Sequence, residues 1–163
     1  MIDAVRAIRR TSQLRKLCQS LQETGHRLRI AQSAEGFVGS SIAEVYWTHD
    51  DPLKKSGYAE YFIQLTSGKV FHLELDRASP RTSALPGDAV PMTELSKMLR
   101  GLRITAVHEG DDADVLIMLD NGCGLHLIRT FNGEISGNNL ILESPEELAQ
   151  WNGHSHPYCR RIL

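Results

Sequence analysis

Tyr61-Phe-Ile-Gln-Leu-Thr-Ser-Gly68-Lys-Val-Phe-His72-Leu73 and Val115-Leu-Ile-Met-Leu-Asp-Asn-Gly122-Cys-Gly-Leu-His126-Leu127 follow one pattern: a mostly apolar strand, a turn ending in Gly, and a second strand. The match extends upstream. Phe37-Val-Gly-Ser-Ser-Ile42-Ala-Glu-Val45 aligns with Leu99-Arg-Gly-Leu-Arg-Ile104-Thr-Ala-Val107, with Gly39 over Gly101, Ile42 over Ile104 and Val45 over Val107. Self-similarity of this kind predicts one supersecondary unit built twice. We therefore expect an internal repeat, 37–75 and 99–129, each copy running as lead-in, Gly, strand, acidic loop, strand, tight turn, strand. The first copy carries an extra stretch, Asp51 to Gly57, between its first two strands.

The turn decides which side chains share a face, because a slip of one residue turns every side chain over. Two-residue loops at Ser67-Gly68 and Asn121-Gly122 would set Gln64 opposite Phe71 and Met118 opposite Leu125, mixing the two sides of the first hairpin. Three-residue loops, Thr66-Ser67-Gly68 and Asp120-Asn121-Gly122, with Gly in the left-handed position, gather Tyr61, Ile63, Leu65, Phe71, Leu73 and Leu75 on one side. The matching set in the second copy is Val115, Ile117, Leu119, Leu125 and Leu127, and these two faces are the predicted core. The other side of the second hairpin, Leu116, Met118, Gly124, His126 and Ile128, is also largely apolar and so requires cover. The expected cover is an N-terminal helix through Leu14, Leu17 and Leu21, with a second subunit as the alternative.

Between the copies, 76–92 is rich in Pro, Ser and Gly and is expected to be an irregular connector. Thr93 to Arg100 reads as a short helix capped by Thr93 and stopped by Gly101. Phe131-Asn-Gly133-Glu-Ile135 suggests a further turn before a last strand near 140–142. Ser144-Pro-Glu-Glu147 then starts a helix over 145–151, with a hydroxyl cap, Pro where no amide is needed and carboxylates beside the positive end. This helix and the tail form a C-terminal segment, 144–163. At the other end Leu14, Leu17, Cys18 and Leu21 recur at the spacing of one helical face, predicting an amphipathic helix over 3–24 with a break near Thr11–Ser12. The expected fold is α+β: an antiparallel β-sheet built from two duplicated three-stranded units, an N-terminal amphipathic helix and two short helices, in a single domain over 1–163.

The chain is 163 residues long, enough to bury a core without disulfide or metal staples. Its longest apolar run, Val115 to Leu119, is far short of the ~20 residues that cross a bilayer, so no membrane span is expected. Cys18, Cys123 and Cys159 leave one thiol over in any pairing, which points to a reducing, cytoplasmic location. The formal net charge of −2 conceals an asymmetry. Residues 1–30 hold Arg6, Arg9, Arg10, Arg15, Lys16, Arg27 and Arg29 against Asp3 and Glu23, which is +5 and leaves −7 for the rest. Asp3 argues against reading this Arg-rich start as a mitochondrial presequence. The basic helix has three readings: packed on the domain with a solvated basic face, bound to nucleic acid or anionic lipid, or folded over the acidic body.

Acidic residues follow the first strand of each copy: His49-Asp50-Asp51, and Glu109-Gly-Asp111-Asp112-Ala-Asp114. Their spacing does not match a calcium-binding helix-loop-helix loop. Asp50, Asp51, Asp111, Asp112 and Asp114 are instead candidate docking residues for a basic partner, if the copies bring the two loops together. The string His154-Ser-His156-Pro-Tyr-Cys159 offers two imidazoles and a thiol, ligand types suited to zinc, although a fourth ligand would have to come from elsewhere. His72 and His126 hold equivalent strand positions, but sequence spacing gives neither a Ser, Cys or carboxylate partner, so no catalytic residue is assigned.

The Gly-x-x-Ile-x-x-Val lead-in, acidic loop and strand-turn-strand resemble the pattern of small bacterial domains, some of them similar to immunity proteins encoded beside toxins. The resemblance spans residues 37–129. It implies a non-enzymatic protein-binding module, an immunity or regulatory protein whose partner is another protein such as a toxin, as a monomer or homodimer. A metal-binding protein or metalloenzyme using His154, His156 and Cys159 is the alternative, and a nucleic-acid binder acting through the basic helix is the second alternative.

Overall fold

The two turns decide the architecture as their Gly positions demand. Gly68 and Gly122 have φ of 88° and 83°, left-handed values that Gly adopts without a Cβ clash. Each turn closes with matched hydrogen bonds, Leu65 N–H to Lys69 O at 2.8 Å and Leu119 N–H to Cys123 O at 2.9 Å. The resulting registers, Ile63 opposite Phe71 and Ile117 opposite Leu125, are those of three-residue loops. In this computed structural model the described residues are 15–25, 34–49, 59–74, 79–110, 114–132, 135–151 and 160–163.

The first sheet is built on β1 (Ile42–His49), β2 (Ala59–Leu65) and β3 (Val70–Leu73), with β4 (Arg81–Ser83) beside β3 and β5 (Val90–Pro91) beside β1. The second is built on β6 (Ile104–Glu109), β7 (Val115–Leu119) and β8 (Gly124–Asn132), flanked by β9 (Ile135–Glu143) and by β10 (Arg160–Arg161) next to β6. Every pairing is antiparallel. Among the described residues three helices complete the α+β fold: α1 over 15–25, α2 (Thr93–Leu99) and α3 (Pro145–Trp151).

The three-stranded units match in detail. Ile42 pairs with Leu65 and Val45 with Ile63, with an irregularity between 42 and 44. Ile104 pairs with Leu119 and Val107 with Ile117, with the same irregularity between 104 and 106. The units meet at a bridge between Ser41 and Arg103. Around it the main chain exchanges bonds symmetrically: Gly39 N–H donates to Ile104 O at 2.8 Å and Gly101 N–H to Ile42 O at 2.9 Å, while Ile42 N–H donates to Leu102 O and Ile104 N–H to Ser40 O, both at 2.9 Å. The seam is thus a local pseudo-twofold. Because the bridge is antiparallel, β1 and β6 leave it in opposite directions.

The predicted core faces are buried: Ile63, Leu65, Phe71 and Leu73 in the first unit, and Ile117, Leu119, Leu125 and Leu127 in the second. Each such side chain contributes about 1.5–3 kcal/mol by leaving water. Phe37 packs its ring 4.8 Å from that of Phe71 and ties the lead-in to the hairpin. Leu75 lies outside the described residues.

The second face of hairpin two is covered within the acidic body. Gly124 stands where the first unit has Val70, and a Cβ on it would come 2.6 Å from Leu116 Cδ1 and 3.0 Å from Leu148 Cδ1. Leu148 of α3 therefore sits over Gly124 and Leu116, a place expected for the N-terminal helix. Its helix is held by a reciprocal cap: Glu147 N–H donates to Ser144 Oγ at 3.1 Å, and Ser144 N–H donates to Glu147 Oε2 at 2.7 Å.

Several expectations need correction. The connector 76–92 supplies two short strands, β4 and β5. An edge strand bonds on one side only, so Pro91 is tolerated there without its amide. The N-cap of α2 is Met92, with no side-chain cap, and Thr93 is its first helical residue. The strand expected near 140–142 runs over nine residues as β9. β10 was not expected at all. The N-terminal helix is described over 15–25, where Leu17 and Leu21 are exposed, and the predicted break at Thr11–Ser12 lies outside the described residues. The chain divides into two compact units, 1–32 and 33–163. No helix among the described residues is long and apolar enough to cross a membrane.

Candidate functional site

The acidic loops continue from His49 at the end of β1 and Glu109 at the end of β6. Asp50, Asp51, Asp111 and Asp112 lie outside the described residues. Asp114 is within them and is buried, 8% exposed, and its backbone oxygen receives the Gly110 N–H at 2.9 Å across the base of the loop. Since β1 and β6 run in opposite directions from the seam, His49 and Glu109 are carried to opposite sides of it. The loops that follow these two strand ends, and with them the expected common acidic surface, lie outside the described residues.

On the second loop's side, β10 lies along β6 with Arg160 opposite Glu109 and Arg161 opposite His108. Ile162 N–H donates to Val107 O at 2.9 Å and Val107 N–H to the Leu163 backbone oxygen at 3.1 Å. The Arg161 guanidinium reaches Leu163 O at 3.0 Å and Thr105 O at 3.5 Å. Burial, and then the positive charge of Arg161, push the His108 imidazole below its ordinary pKa. The site is thus an acidic strand end with a basic extended segment seated against it. Sequence reading missed this segment, because a two-residue strand leaves no alternation to detect.

His72 and His126 each prove to have a carboxylate neighbour, which spacing did not reveal. His126 Nδ1 lies 3.0 Å from Glu143 Oε2, the ring 1% exposed and the carboxylate nearly as deep. With a carboxylate as acceptor, Nδ1 carries the proton and the ring orientation is set. His72 Nε2 lies 3.6 Å from Glu60 Oε1, too far for a hydrogen bond, and its ring stacks on Phe62 at 4.5 Å between centroids. Nε2 of His72 and Nδ1 of His49 are buried with no hydrogen-bond partner among the described residues. Around His72 the outer face of the first sheet holds Glu74 paired with Arg81 at 3.4 Å, and Thr48 donating to Asp88 Oδ2 at 3.1 Å.

His154, His156 and Cys159 lie outside the described residues. Among the described residues, no three His, Cys, Asp or Glu side chains converge as a metal site. Tyr61 links the two sheets: burial raises its phenol, and a hydrogen bond from the Leu140 backbone opposes the shift. Compared with protein-family models, curated proteins and solved structures, the chain matches none.

Proposed function

We propose that this protein is a non-enzymatic protein-binding module of the immunity or regulatory type, working in the cytoplasm as a monomer or homodimer. It docks a basic partner protein, a toxin in the immunity case, on its acidic unit. The observation that carries this reading is the coincidence of two boundaries. The chain divides into compact units at 32/33, and its charge divides there too, +5 before and −7 after. An acidic body of this kind attracts cationic partners over about a Debye length, roughly 8 Å at physiological salt. The shut-in position of His126 supports a structural use of that imidazole. Docking falls to Asp50, Asp51, Asp111 and Asp112 in the two acidic loops, with Asp114 buried at the base of the second. Duplication of one three-stranded segment accounts for the matched bulges and turns.

Affinity capture from the source cells at low and at high salt tests this. The expected catch is a basic protein, released by high salt and held less well by the Asp111→Asn, Asp112→Asn variant. A catch with no charge bias, or one indifferent to both changes, overturns the reading. Stoichiometric zinc in protein purified without chelator would replace it with a metalloprotein using His154, His156 and Cys159. A salt-dependent shift of labelled RNA or DNA would replace it with a nucleic-acid binder.

A further inference from the structure

The pseudo-twofold makes two sheet edges comparable, and they are closed differently. On β1, Val90 and Pro91 pair with Trp47 and Tyr46, and Met92 N–H donates to Val45 O at 2.8 Å. On β6, Arg160 and Arg161 pair with Glu109 and His108, and Ile162 N–H donates to Val107 O at 2.9 Å. Position for position, Arg160-Arg161-Ile162 lies on β6 as Val90-Pro91-Met92 lies on β1. The difference comes one step later. In the first unit the segment runs into α2, whose fully buried Ser96 accepts the Val45 N–H at 2.9 Å, so a helix locks that edge. In the second unit the equivalent amide, Val107 N–H, is answered by the backbone oxygen of Leu163.

The segment on β6 is therefore held by three kinds of contact that any suitable extended chain can supply. Main-chain ladder bonds need no particular side chain. Ile162 and Leu163 pack against the core as partly buried aliphatic groups. Arg160 and Arg161 stand opposite Glu109 and His108 in the register, and the Arg161 guanidinium donates to Leu163 O at 3.0 Å and Thr105 O at 3.5 Å. A two-residue strand held in this way belongs to the low-stability end of a fold, where local opening is cheap.

We propose that the outer edge of β6 is a strand-addition site for an extended segment of a partner protein carrying two basic residues followed by two aliphatic ones, and that the chain's own Arg160–Leu163 fills it in cis. The inference rests on the binding-module reading and names the chemistry of the contacting segment. The cis segment acts as an internal competitor. Tethered through residues 152–159, it is present at an effective concentration on the order of millimolar, which screens out weak ligands and admits only those that outcompete it.

The test uses the full chain and a fluorescent peptide of residues 157–163 carrying Cys159→Ser. In the Arg160→Glu, Arg161→Glu variant the cis segment is repelled by Glu109, so the peptide should bind at least about tenfold more tightly than to the unaltered chain. Bound peptide should restore slow hydrogen exchange at the Val107 amide, and a peptide with both arginines changed to Glu should bind about tenfold more weakly. A folded variant that binds the peptide no better than the unaltered chain overturns the proposal. Should that variant not fold, the unaltered chain decides. At about 5 mM peptide, exchange at 161–163 should accelerate as the cis segment is displaced, and unchanged exchange overturns the proposal. Salt-sensitive peptide binding without Val107 protection rejects strand addition while leaving the acidic-surface reading in place. Loss of salt-sensitive binding to every cationic probe, captured partners included, rejects both.

Discussion

His72 and His126 occupy equivalent places in hairpins with the same turn and the same register, yet their chemistry differs. His72 lies against Phe62 with Glu60 just beyond hydrogen-bond reach, and its strand is flanked by the three-residue β4. His126 is shut in and bonded to Glu143, because its strand is flanked by the nine-residue β9. The repeat pattern places a side chain on a face. What flanks the matched strands decides whether that side chain meets water, a ring or a carboxylate.

The core should be where the two units behave alike. Ile63→Ala and Ile117→Ala should each cost about 2–5 kcal/mol in urea melts, since both side chains are fully buried at matching positions. A gap between them above about 2 kcal/mol would break the equivalence of the cores. The histidines should separate the units. Glu143→Leu removes the acceptor of a buried ring nitrogen and should cost about 1–3 kcal/mol, and adding His126→Leu should recover part of that loss. Glu60→Leu should stay within about 0.5 kcal/mol, because its imidazole contact is no hydrogen bond. Equal losses would collapse the contrast.

The smallest effect concerns the β6 edge. His108 is held below its ordinary value of 6.5, so the unfolded chain takes up a proton more readily than the folded one. Its contribution to stability is present above pH 6.5 and is lost as pH falls through the folded value. Arg161→Gln removes the second cause of the depression. The imidazole, followed by NMR, should then titrate closer to its ordinary value, and a value unmoved by the change would leave burial as the sole cause.

Much of this architecture was legible because local chemistry and global fold agree. Gly at the third turn position sets the register, the register sets the core faces, and Ser144 with Glu147 announces the cap of α3. The misses share a physical cause. β4, β5 and β10 owe their existence to main-chain bonds with a neighbouring strand, far along the chain for β5 and β10, and two or three residues show no alternation. Ser136 to Asn139 carry little strand propensity and join β9 only because β8 offers a partner for each. The Glu143 partner of His126 follows from that same register rather than from any motif. Of the candidate site, the acidic character of the second loop was readable, while the segment seated beside Glu109 was not.

The seam at Ser41 and Arg103 also has a kinetic meaning. Each hairpin closes over a three-residue turn, whereas the seam joins positions some sixty residues apart, which costs about 2–3 kcal/mol more in loop entropy. On loop entropy alone the hairpins should form before the seam. Its bonds are main-chain bonds, so Ser40 and Leu102, or Ser41 and Arg103, can differ freely between the units without changing how they dock. Loosening that docking would quicken unfolding while leaving the rate of folding nearly untouched.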